Sequence, residues 1–264
     1  MQPPPEPTTP QASSSAFLSG ARAALAFLTR IPCGKRPVTE QALAWAPAWF
    51  PAVGYLLGLA GGLVFAGLDR AGGLVASTAT VAFLALVTGA FHEDGLADSA
   101  DALGGALDRP KLFAILKDSR IGSFGATALL LVLLLRVVAL AKLGPLTAGG
   151  LLLGQTVSRA APVWLMAIMP YVTPAETAYS SRLVHARSIH ALVASAFALA
   201  AASALVLGAL LPLRGTLVAT LAAVLVTAVC GWRFHVRAGG ITGDFLGATQ
   251  QLADAAILVA LAAS

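Results

Sequence analysis

The chain has 264 residues, of which 11% are Asp, Glu, Lys or Arg and 58% belong to the apolar set AVILMFWYC. Soluble domains carry about 25% charged residues, so this composition cannot cover a water-soluble globule and excludes a soluble enzyme, a disordered chain and a disulfide scaffold. The net charge of +5 is spread over short loops, which reads as a membrane-topology signal and not as a nucleic-acid surface.

Residues 1–15 are rich in Pro, Ser and Thr and hold no basic residue, the pattern of a disordered tail and not of a cleavable signal peptide. Over 16–31, Phe17, Ala21, Ala24, Leu25 and Leu28 recur at helical spacing beside Arg22 and Arg30. That predicts an amphipathic helix lying in the membrane interface, stopped by Pro32. Seven apolar stretches follow, at 46–68, 73–91, 123–142, 147–170, 189–211, 215–234 and 246–263, each near the ~17–25 residues of a spanning helix. The expected fold is all-α: one polytopic membrane bundle over 16–264, of about seven spans, with abundant Gly and Ala for close helix packing. No internal repeat supports an inverted-repeat transporter. Cys33 and Cys230 stand alone, as inert thiols do.

Lys and Arg set the orientation. Twelve lie in the N-terminal segment, in 92–122, 171–188 and 235–245, or at the helix-end Arg233, against three, Arg70, Lys142 and Arg214, on the other side. The excess places the N-terminus in the cytoplasm and the C-terminus outside.

Glu93, Asp94, Asp98, Asp101, Asp108 and Asp118 are six of the twelve acids and fall within 26 residues. Asp94, Asp98 and Asp101 stand at i, i+4 and i+7, one face of a helix, where like charges repel unless a cation neutralises them. Oxygen donors without Cys or paired His select Mg²⁺ or Mn²⁺, and Asp118 can add a fourth carboxylate. The alternative is a solvated acidic loop beside Lys and Arg. Gly122, Ser123 and Gly125 open the third span as a nest able to hold phosphate or as ordinary helix-starting residues. With Lys117 and Arg120 they make the parts of a phosphoryl-transfer site. His92 is either a donor to phosphate or a hydrogen-bonded interfacial side chain. In GGITGDFLG (239–247), Thr242 and Asp244 form a tight loop. Asp244 either caps the last span or closes the site over a pyrophosphate. Arg136, Arg159 and Asp254 are intramembrane charges, expected to face inward. Asp254 is expected to pair with Arg159 at the floor of a substrate cavity. Arg136 competes for that role, and in the alternative Arg159 bonds only backbone carbonyls and water.

FLTRIP (27–32), FHEDGLADSADALGG (91–105), LKDSRIGSFGA (116–126), SRAA (158–161) and GGITGDFLGATQQLAD (239–254) together resemble the cobalamin synthase family, the adenosylcobinamide-GDP ribazoletransferases. Ala102 stands where that family usually has Gly. The resemblance, from about residue 16 to the C-terminus, implies a Mg²⁺-dependent enzyme of a bacterial inner membrane. Its substrates would be adenosylcobinamide-GDP and α-ribazole or its 5′-phosphate; its products would be adenosylcobalamin, or its 5′-phosphate, and GMP. On that reading Asp94, Asp98, Asp101 and Asp118 are metal ligands, and Lys117 and Arg120 neutralise the leaving phosphate. Glu93 or a metal-free Asp takes the hydroxyl proton, His92 is catalytic, and Ser123, Arg159, Thr242 and Asp244 bind substrate. Partners are the corrinoid and ribazole molecules and the lipid bilayer, with no nucleic acid and a possible homo-oligomer. Two other readings are a CDP-alcohol phosphotransferase, whose A-R and final paired Asp are missing here, and a cation transporter, whose acids belong within opposing spans.

Overall fold

In lipid an apolar chain must satisfy its backbone internally, and a helix does so residue by residue. The computed structural model describes residues 14–34, 37–172 and 188–264. Among these it forms α1 (Ser14–Leu28), α2 (Glu40–Trp45), α3 (Phe50–Leu68), α4 (Gly73–Thr88), α5 (Phe91–Gly105), α6 (Arg109–Ile115), α7 (Ser123–Leu143), α8 (Thr147–Ile168), α9 (Ser188–Leu207), α10 (Leu213–Ala238) and α11 (Gly243–Ala262). Almost all of the expected tail, Lys35, Arg36, and most of the loop 171–188 with Arg182 and Arg187 lie outside the described residues.

Five helical runs are long and apolar enough to cross a bilayer, and a sixth if α4 and α5 count together. Seven spans were expected. The run Ser123–Ile168 has 46 residues, about 69 Å at 1.5 Å per residue, more than twice the hydrocarbon thickness. Gly144, at φ +55° and ψ −121°, breaks it into α7 and α8. The expected span 73–91 ends early. Gly89 and Ala90 are both left-handed, and α5 leaves α4 at 92°. With four acids in its 15 residues, α5 is not itself a spanning helix. It packs on α7 and α11.

Polarity is inverted relative to a soluble protein. Leu130, Leu131, Leu134, Leu135 and Val138 of α7 and Leu217, Leu221 and Leu225 of α10 are exposed, as lipid-facing residues should be. Arg136, Gln155, Arg159, Gln250, Gln251 and Asp254 are buried. Two helices form the centre: 18 of the 22 residues of α8 are buried, and 12 of the 20 residues of α11. Helix α11 touches α5, α7, α8 and α10. Helices α3 and α8 pack closely because Gly54 leaves no Cβ against the Gln155 carbonyl oxygen, the small-residue contact that lipid favours. An apolar groove of about 960 Å³ lies between α8, α9 and α10, lined by Ala161, Ala198, Ala202, Ala223 and Val224 among others.

The helix ends sort into two faces. Gly73 approaches Ala141, Gly149 approaches Leu210, and Gly215 approaches Ser264. At the opposite face, Tyr171 bridges to Ile241, Arg30 N donates to the Val87 carbonyl, and Gly95 meets Asp244. The segments 92–122, 171–172 and 235–245 thus share one face, the grouping expected from the basic residues. All four tryptophans lie toward that end: Trp45 on Glu40–Trp45, Trp49 before α3, Trp164 near the end of α8 and Trp232 near the end of α10. Helix α1 lies there too, its buried Ala23, Ala24 and Leu28 facing the bundle and its Phe17 carbonyl accepting from Trp49 Nε1 at 2.9 Å. It ends at Leu28, before Pro32: Thr29 N still donates to the Leu25 carbonyl, but Arg30 N leaves the helix for the Val87 carbonyl.

Candidate functional site

The bend after α4 lays the acidic helix beside the start of α11. Along α5, Asp94 is exposed, Asp98 half-buried and Asp101 buried. Across from them stands Asp244, in the first turn of α11, whose N-terminus is capped by Thr242: its Oγ1 accepts from Phe245 N at 3.3 Å. Contact is close because Gly95 has no side chain; a Cβ there would lie 2.8 Å from the Asp244 carbonyl oxygen. Burial, then Asp94, Asp244 and Asp101 in that order, push the Asp98 carboxyl up from 3.8 to about 6. The acidic cluster and the GGITGD loop, far apart in sequence, form one site.

The donors suit a hard divalent cation. They are carboxylates, and Asp98 feels three neighbouring acids and no neighbouring base. Among the described residues no three His, Cys, Asp or Glu side chains converge as a closed metal cage. Mg²⁺ does not need one, since it typically binds through one or two carboxylates plus substrate phosphates and water.

Several expected roles change. Asp101 shares the helix face with Asp94 and Asp98, but its Oδ2 accepts from Gly122 N at 2.7 Å and its Oδ1 from Gly125 N at 2.8 Å. It anchors the start of α7, where free N–H groups need acceptors, with one bond to each oxygen. The same two bonds occupy the nest expected to hold phosphate, and Ser123, in this first turn, is exposed. Asp118 does not join the cluster. Both its oxygens bond Arg120, at 3.0 Å from Nε to Oδ1 and 2.7 Å from Nη2 to Oδ2, which holds the carboxyl down at about 2. Arg120 is exposed on this turn, as is Lys117.

Glu93 points into the bundle. Its Oε1 accepts from Gln251 Nε2 at 3.0 Å and lies 3.5 Å from Arg136 Nη1. That oxygen is thus tied into the buried network, away from the exposed Asp94. His92 is also buried, its ring edge-on to Phe91, lining a cavity of about 40 Å³ with Arg159, Phe27, Phe50 and Gly243. Among the described residues, His92 Nδ1 and Arg159 Nε have no hydrogen-bond partner.

Asp254 pairs with Arg136, not with Arg159: Arg136 Nη2 lies 3.0 Å from Asp254 Oδ2. Arg159 bonds the Gln155 carbonyl at 3.1 Å and Gln155 Oε1 at 2.8 Å, and Gln155 Nε2 passes the link to Asp254 Oδ2 at 2.9 Å. Gln250 ties in Ser158 at 2.9 Å, and Gln251 accepts from Arg136 at 2.8 Å. The glutamines were missed in the sequence. Their signal was there, as uncharged polar residues inside apolar spans, where each buried amide needs a partner.

A sequence model of the family described as "Cobalamin-5-phosphate synthase" matches residues 20–262. Curated relatives carry the name "Adenosylcobinamide-GDP ribazoletransferase". The one from Polaromonas sp. (strain JS666 / ATCC BAA-500) is 36% identical, over 95% of this chain and 98% of the relative. One from Sinorhizobium sp. is 39% identical over 93% and 97%, and one from Vibrio vulnificus (strain YJ016) is 37% identical over 91% and 94%. No solved structure matches.

Proposed function

The chain belongs to the cobalamin-5-phosphate synthase family, a family of transferases acting at the end of cobalamin biosynthesis, and from that premise we propose a metal-assisted phosphoryl transfer at the meeting of α5 and α11. The observation that carries the proposal is the juxtaposition of Asp94 and Asp98 with Asp244. The substrates are adenosylcobinamide-GDP and α-ribazole or its 5′-phosphate. The ribazole hydroxyl attacks the phosphorus bonded to the aminopropanol arm of the corrinoid, the bond to the GMP oxygen breaks, and GMP leaves.

Asp94 and Asp244 would hold Mg²⁺, which when bound would neutralise charge on the diphosphate. Asp98, half-buried on the same helix face as Asp94 and beside Asp244, takes the hydroxyl proton as a carboxylate base. Arg120 and Lys117, on the exposed turn before Gly122, neutralise the leaving phosphate, Arg120 exchanging Asp118 for it. Thr242 holds the start of α11 in place. Arg159 and His92 line the cavity behind Gly243, whose wall is otherwise apolar. The basic residues gathered at the site's face support a cytoplasmic orientation of the site, in the inner membrane of a bacterium on the family reading.

The test is GMP release by purified protein in lipid vesicles. Release should require the GDP-activated corrinoid, a ribazole substrate and Mg²⁺ together. No release, or release without the ribazole substrate, would reject the transfer.

A further inference from the structure

The Phe27–Pro32 block has no part in the reaction above, yet it touches the acidic helix. The ring of Phe27 stacks on Phe50 at 5.8 Å and meets Phe91 edge-on at 5.3 Å. Thr29 Oγ1 accepts from Ile31 N at 3.2 Å, and Arg30 N donates to the Val87 carbonyl at 2.7 Å. The Arg30 guanidinium then lies over Gly89, the left-handed C-cap of α4, in the space a Cβ would fill. Beyond the other end of α5 the arrangement repeats. The Arg109 guanidinium lies over Gly239, the left-handed C-cap of α10, in the space of its Cβ, and Arg237 Nη2 donates to the Ala106 carbonyl. A helix C-terminus carries partial negative charge, so a guanidinium is favoured there. The first bend needs holding: Ala90, at φ +56°, is a non-glycine residue in left-handed backbone, a conformation that persists only when the surroundings enforce it.

We propose that Arg30 and Arg109 are positioning residues, each clamping a glycine-capped helix end, and that together they fix the pitch of α5 so that Asp94 and Asp98 face Asp244. The inference rests on the reading of those acids as the active site. Neither arginine contacts the reacting atoms. Their effect is on the separation of α5 from α11, and through it on metal affinity and turnover but not on recognition of the ribazole substrate.

The experiment uses the full chain in lipid nanodiscs, as wild type, Arg30→Ala, Arg109→Ala, Gly89→Ala and the Arg30→Ala/Gly89→Ala double variant. Mn²⁺ binding is read by electron paramagnetic resonance, with kcat, KM and thermal unfolding measured beside it. In both arginine variants Mn²⁺ affinity should fall roughly tenfold or more, the usual loss when an outer support of a metal site goes. Turnover should fall roughly tenfold to a hundredfold, with KM for the ribazole substrate unchanged. The double variant should be no worse than its poorer parent, because Gly89→Ala removes the contact that Arg30→Ala removes. Wild-type affinity and kcat in both arginine variants, additive losses in the double, or lowered melting with kcat per folded enzyme unchanged would each overturn the clamp. Spin labels at Ala100→Cys and Leu246→Cys, in a Cys33→Ser background, read the α5–α11 distance with no metal present. A narrow distribution that broadens in Arg30→Ala and Arg109→Ala supports the clamp, and one that stays narrow overturns it. A wild type that neither binds Mn²⁺ nor releases GMP rejects the active-site reading instead, leaving the spin-label distance to decide the clamp.

Discussion

Arg136 on α7 and Asp254 on α11 form an ion pair at 3.0 Å with their side chains only 2% and 1% exposed. Glu93 and Gln251 share the same guanidinium, so the pair ties the acidic helix to both spans. Removing one partner of a buried pair leaves the other uncompensated, at roughly 3–5 kcal/mol. Arg136→Gln and Asp254→Asn should each lower the unfolding temperature strongly, and the double variant should lose less than their sum. Strict additivity in a double-mutant cycle would show that the pair does not couple.

Asp101 separates structure from chemistry. Its two bonds to Gly122 N and Gly125 N are charge-assisted, and such bonds contribute roughly 1.5–3 kcal/mol each. Asp101→Ala should therefore destabilise the metal-free protein, whereas Asp94→Asn should not lower its stability but should abolish turnover. Equal melting temperatures for Asp101→Ala and wild type would contradict the anchor.

Asp98 makes stability depend on pH. Its carboxyl titrates near 3.8 unfolded and near 6 folded, so between those values the folded protein holds a proton the unfolded chain has released. That contribution is fully present below about pH 4 and lost as pH rises through about 6. Asp98→Asn should remove this decline, and near pH 7 without metal it should melt above wild type. Identical pH–stability curves for the two proteins would refute the shift.

The Arg120–Asp118 pair is exposed, and exposed pairs add little stability. Asp118→Asn should leave the melting temperature unchanged and turnover largely intact. Arg120→Ala should lower kcat at unchanged melting temperature. Loss of turnover in Asp118→Asn as complete as in Asp94→Asn would return Asp118 to the metal site.

The apolar runs made the helices legible in the sequence, and the basic loops showed which ends share a face. The i, i+4, i+7 spacing of Asp94, Asp98 and Asp101 placed them on one helix face. Contacts that depend on how helices are rotated about their axes were not legible. Depth along a span allowed Asp254 to reach either Arg136 or Arg159, and only the packing of α7 against α11 chose Arg136. Asp101's partners come from a segment 21 and 24 residues further on, beyond the reach of any local pattern. Nothing in a Gly-Ala pair announces the turn at Gly89 and Ala90, because alanine so rarely adopts a left-handed backbone.

The tryptophans at one end of the bundle give the protein a one-sided optical signal. All of its indole emission arises at the face that carries the acids, and none from the ends near Arg70, Lys142 and Arg214. In sealed vesicles with the protein inserted in a single direction, an impermeant quencher would dim the light from one compartment and scarcely touch it from the other. The untreated protein is thus its own gauge of which way it has entered the bilayer.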